Sequence, residues 1–123
     1  MDAVLRYQQE RIMTTPKEEL TLMLYDGCIR FIKAAILAMD DKQYEKVNEN
    51  IIKAENIITE LMSTLDMKYE ISNNLYNLYD FVYRWLIQAN IKKDKKYLDE
   101  VLPIVQDLRD TWSEAIKLAR NKK

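Results

Sequence analysis

The sequence predicts an all-α fold: an antiparallel up-down four-helix bundle preceded by a short N-terminal arm. Three observations predict it. Apolar residues recur at helical spacing in four long stretches, and short polar segments separate them. The 123 residues include one Gly and two Pro, too little turn material for a β fold. A content of 48% hydrophobic and 32% charged residues suits amphipathic helices around one core. Connections this short place successive helices antiparallel. The domain reading is an arm over residues 1–14, a bundle over 15–120 and a basic tail over 121–123.

The arm carries scattered apolar anchors, Val4, Leu5, Tyr7, Ile12 and Met13. It reads either as a frayed terminus or as a segment that docks on apolar surface.

The first bundle helix runs from Thr15 to Met39. Thr15 is a plausible N-cap, Pro16 suits the first helical position and Glu18 stands where a capping box wants its acid. With Leu20 at zero and about 100° per residue, Leu20, Leu24, Gly27, Phe31, Ala34, Ala35 and Ala38 form one apolar stripe. Leu22, Tyr25, Ile29, Ile32, Ile36 and Met39 form a second, centred near about 150°. One stripe suffices for a bundle helix. The second predicts either a central position among several helices or a groove for a partner. The first stripe is taken as core here and the second as the groove. Gly27 costs roughly 1 kcal/mol in mid-helix, which a close helix approach would offset.

Asp40-Asp41-Lys42 is a connection whose aspartates can cap the second helix, Lys42 to Leu65. Its core stripe is Tyr44, Val47, Ile51, Ala54, Ile58, Leu61, Met62 and Leu65. After residues 66–70, the third helix spans Ile71 to Ala89 with Ile71, Leu75, Leu78, Tyr79, Val82, Leu86 and Ala89 inward. Tyr76, Tyr83 and Ile87 flank that stripe on one side, Phe81 and Trp85 on the other. Aromatics there serve core edge or recognition. Asp94 can cap the fourth helix, Lys95 to Arg120, whose stripe is Tyr97, Val101, Ile104, Val105, Leu108, Trp112, Ala115 and Ala119. Pro103 predicts a kink near residues 99–103, or else a helix that starts only at Leu102.

Composition also narrows function. Nineteen basic against 20 acidic residues make no case for nucleic acid or an anionic membrane. Cys28 is the only cysteine, so neither an internal disulfide nor a zinc cluster can form, which fits a reducing cytoplasm. No secretory signal and no spanning segment is visible. Without histidine or a glycine-rich loop, the sequence offers no catalytic constellation, metal site or cofactor site.

The segment Glu19-Leu20-Thr21-Leu22-Met23-Leu24-Tyr25-Asp26-Gly27-Cys28, after Thr15-Pro16, resembles the first bundle helix of the FliS family of flagellin export chaperones. So does Lys53-Ala54-Glu55-Asn56-Ile57-Ile58 with Glu60-Leu61 in the second. Leu78-Tyr79-Asp80-Phe81-Val82-Tyr83-Arg84 and Gln88-Ala89-Asn90-Ile91-Lys92 are similar to its third helix and following loop, and Tyr7-Gln8-Gln9 to its arm. The ordered set covers nearly the whole chain. Pro103 departs from the pattern, and the arm before Tyr7 is short.

The resemblance implies a cytoplasmic chaperone, without enzymatic activity or cofactor. It would bind the disordered C-terminal segment of flagellin, prevent premature polymerisation and deliver the subunit to the membrane protein of the flagellar export gate. Tyr7 and Tyr25 are carried over from the matched motifs as partner-binding residues. The helical wheel adds Leu22, Ile29, Ile32, Ile36, Tyr76, Tyr83 and Ile87. The expected state is a monomer or weak dimer. The alternative is a self-associating helical module whose second stripe is a dimer interface.

Overall fold

The structure, a computed structural model, describes residues 2–14 and 18–121, with the backbone alone over 11–14. The described residues form five helices: α1 (Asp2–Thr14), α2 (Glu18–Asp40), α3 (Tyr44–Ser63), α4 (Glu70–Lys92) and α5 (Lys95–Asn121). Helices α2 to α5 are the four predicted from periodicity. They form an up-down bundle in which α2 touches α3 and α5, and α4 touches the same two. The α2/α5 and α3/α4 seams therefore lie on opposite sides. The arm is itself a helix, α1, packed mainly on α5 with a smaller contact on α4. No described helix is long and apolar enough to cross a membrane.

The predicted stripes of α3, α4 and α5 supply most of the core. Val47, Ile51, Ala54, Ile58 and Leu61 meet Leu75, Tyr79, Val82, Leu86 and Ala89 from α4. Leu98, Val101, Val105, Leu108, Trp112, Ala115, Ile116 and Ala119 complete it from α5. Tyr44 is a correction: at the first turn of α3 it is 47% exposed, because the bundle no longer covers its end there. Helix α5 continues through Pro103, which overturns the later start at Leu102. The proline is exposed, so its missing N–H and its ring bear on the outer face rather than on the core.

Two helix ends are closed without glycine. Lys42 and Lys93 adopt left-handed backbone, with φ of 56° and 49°. Behind Lys42, the Gln43 N–H reaches the Ala38 carbonyl at 2.8 Å; behind Lys93, the Asp94 N–H reaches the Ala89 carbonyl at 3.3 Å. These bonds satisfy end carbonyls as a glycine-terminated helix would, at the cost of a Cβ in a crowded conformation. Neither Asp40 nor Asp41 caps α3. Its N-cap is Gln43, without a side-chain bond. Asp94 does serve α5, its Oδ1 accepting from the Lys96 N–H at 3.0 Å. The capping pair Thr15 and Pro16 lies outside the described residues, as do the side chains of Ile12 and Met13.

Gly27 faces α3. A Cβ built on it would stand 3.2 Å from Ile57 Cδ1, so the close approach expected of it exists and is tight.

Candidate functional site

Around α2 the burial is centred between the two stripes. With Leu20 at zero, the fully buried residues Gly27, Ala38, Ala35, Cys28, Met39, Ile32 and Tyr25 span roughly −20° to 140°. Leu20, expected in the core, is 52% exposed. Tyr25 and Ile32, expected in the partner groove, are 1% and 0% exposed and belong to the core. The cause is geometric: at one edge of the arc Gly27 meets α3, and at the other Tyr25 bonds Tyr79 of α4, so the arc points into the bundle.

The remaining second-stripe residues, Leu22, Ile29 and Ile36, are half-buried and packed against the core. They recur every seven residues, about two turns, which keeps them on one side of α2. That side is turned to α5 and tied to it by charges. Arg109 Nε donates to Asp26 Oδ1 at 2.8 Å, Lys95 meets Asp40 at 3.2 Å, and Arg120 pairs with Glu19. Trp112 Nε1 adds a bond to the Glu18 carbonyl at 2.8 Å.

On the opposite side, Asn90 donates from its amide to Asn48 Oδ1 at 2.7 Å across the α3/α4 seam. No ion pair joins α3 to α4 among the described residues. Tyr83 is half-buried and Tyr76 is 43% exposed. Ile87 lies further out, lining a shallow depression with Arg84, Trp85, Gln88, Lys92 and Tyr97.

The third region is the end of the bundle where α1 docks. Tyr7 of α1 is buried and, with Gln8, lines a cleft of about 350 Å³ whose other walls include Leu20, Leu24, Leu61, Leu65, Leu75 and Trp112. Its hydroxyl accepts from the Asp66 N–H at 3.1 Å, and its ring meets Tyr69 edge-on at 5.3 Å. Gln8 Nε2 donates to the Tyr25 hydroxyl at 3.3 Å, and Tyr25 bonds Tyr79 at 2.5 Å. Burial pushes the Tyr25 phenol up to about 12 and raises Tyr79 as well, so both stay neutral hydrogen-bonding groups. Gln8 Oε1 is buried with no partner among the described residues.

The nine residues expected at a partner surface thus fall into four places: core, α2/α5 seam, outer α4 with the α3/α4 seam, and the cleft under α1. Sequence reasoning missed Gln8 and Trp112 as docking contacts. Gln8 stood beside Tyr7 in the matched arm motif, but its partners come from distant helices, and periodicity carries no signal for that.

The model of the family described as flagellar protein FliS matches residues 1–119. The flagellar secretion chaperone FliS of Bacillus subtilis (strain 168) is 48% identical over 114 residues, covering 93% of this chain and 86% of that one. The protein of the same name from Escherichia coli (strain K12) is 32% identical over 111 residues, covering 88% and 82%. A crystal structure described as a flagellar chaperone from bacteria superposes with a TM-score of 0.76 at 26% identity, covering 95% of this chain and 97% of that one.

Proposed function

The chain belongs to the FliS family of flagellar secretion chaperones, and from that premise we propose that its client is the C-terminal segment of flagellin. The segment is held in the cytoplasm, kept from polymerising and handed to the membrane protein of the export gate. A client disordered in isolation gains helix as it lays apolar faces on a preformed bundle. On this reading it lies along Tyr76, Tyr83 and Ile87 and continues over the bundle end into the cleft that Tyr7 lines.

The observation that carries the reading is the cover on that cleft. Helix α1 closes one side of this cleft with Tyr7 and Gln8, yet leaves Gln8 Oε1 buried and unpaired. An unpaired buried carbonyl costs about 1–3 kcal/mol, so the cover is held less tightly than its burial suggests. A client that fills the cleft returns that group to water. Tyr7 then acts as a stand-in for client side chains, and the released arm is free for the gate.

The test is light scattering and titration calorimetry with full-length flagellin monomer and with flagellin lacking its C-terminal segment. The expected result is a 1:1 complex with the first and none with the second. Removing residues 1–10 should speed flagellin association severalfold. An unchanged or slower association rejects the cover, and a tight homodimer indifferent to flagellin rejects the client.

A further inference from the structure

The Asn90–Asn48 hydrogen bond fixes which sides of α3 and α4 face each other. Seven residues make about two turns, so Glu55 and Met62 follow Asn48 along that side of α3. Tyr83 and Tyr76 precede Asn90 on α4 by the same steps. Because the helices are antiparallel, the seam becomes a ladder of three rungs: Asn48 with Asn90, Glu55 with Tyr83, Met62 with Tyr76.

The first rung is closed by its hydrogen bond. The third is apolar and half open. In the middle rung the Glu55 carboxyl lacks a counterpart. It is half-buried, its Oε2 is shielded from solvent, and no donor among the described residues reaches that oxygen. Burial lifts the carboxyl above the usual carboxylate range. The cations nearest to Glu55 and Tyr83 in sequence are engaged elsewhere. Lys53 lies over the Phe31 ring of α2 at 5.4 Å, and Arg84 Nε pairs with Asp80 at 2.9 Å. A carboxylate partly desolvated without a cation disfavours the free chain, and the same group favours a complex that supplies one.

We propose that the α3/α4 seam receives a helix of the flagellin C-terminal segment that sets a lysine or arginine against Glu55, with apolar side chains a turn to either side. The proposal rests on flagellin being the client. Glu55 is the specificity-determining residue: it rewards a basic residue at one register of the client helix and penalises an apolar or acidic one. Met62 and Tyr76 take the apolar side chain above it.

The experiment titrates full-length flagellin monomer into wild type, Glu55→Gln and Glu49→Gln at low and high salt. Melting curves of the three free proteins accompany it. Glu49 is an exposed acid on the same helix and controls for charge alone. Glu55→Gln should weaken flagellin binding about tenfold at low salt and flatten its salt dependence. Its melting temperature should be unchanged or higher, and Glu49→Gln should behave as wild type. Wild-type affinity in Glu55→Gln, equal losses in both variants, or a lowered melting temperature in Glu55→Gln overturns the inference alone. A wild-type chain that leaves flagellin unbound overturns the client reading and this inference together.

Discussion

The two opposite seams of the bundle are built from similar apolar material and finished differently. The α2/α5 seam holds Leu22, Ile29 and Ile36 and is laced along its length by Lys95–Asp40, Arg109–Asp26 and Arg120–Glu19, with Trp112 bonded to the Glu18 carbonyl. The α3/α4 seam has one amide–amide bond near its end, then an unpaired carboxyl and two tyrosines. Each exposed ion pair contributes little to stability. Their value is positional: they occupy the polar groups that an incoming chain would otherwise engage. One seam thus has its polar groups paired within the chain, and the other keeps its apolar edge and one unpaired carboxyl oxygen.

The widest test of this contrast is a pair of double variants. Ile29→Asp with Ile36→Asp places two carboxylates where side chains pack on the core, and should cost about 3 kcal/mol or more in urea unfolding. Tyr76→Asp with Tyr83→Asp should cost less than half as much, while flagellin binding by calorimetry falls below detection. If the isoleucine variant stays fully stable and loses flagellin instead, the α2/α5 seam is the client surface and the contrast inverts. A smaller effect is expected from Trp112→Phe, which keeps most of the buried ring and removes the bond to Glu18. It should destabilise the fold by about 1 kcal/mol in the same assay. Arg109→Met should shift stability by less than about 0.5 kcal/mol, since its pair with Asp26 is largely exposed. A larger loss there would mean that the lacing carries energy as well as position.

Much of this molecule follows from spacing. The runs through Val47–Leu61, Leu75–Ala89 and Val101–Ala119 repeat at 3.6 residues, and each puts most of its inward stripe in the core. Asp94 announces the start of α5, and the ordered motifs from Tyr7 to Lys92 carry the family. The ends at Lys42 and Lys93 gave no such notice, because a left-handed lysine has no compositional mark. The arm was equally ambiguous: its few apolar residues fit a frayed terminus as well as a docked helix. What docks it is a set of bonds to Asp66 and Tyr25, far along the chain.

By itself, then, the sequence determined the four bundle helices, their antiparallel order, most of the core of α3, α4 and α5, and the family; it did not make the arm a fifth helix. It left the orientation of α2 undetermined. Periodicity states how residues are arranged around a helix relative to one another, but the direction of the core is set by the neighbours that press on it. Only the packing of α3 against Gly27 and of Tyr25 against Tyr79 of α4 decided that Tyr25 and Ile32 turn inward while Leu20 turns out. The pairing of seams was decided in the same way. Whether a carboxyl such as Glu55 finds a partner depends on which face of the next helix comes level with it, and that register exists only once the helices have packed.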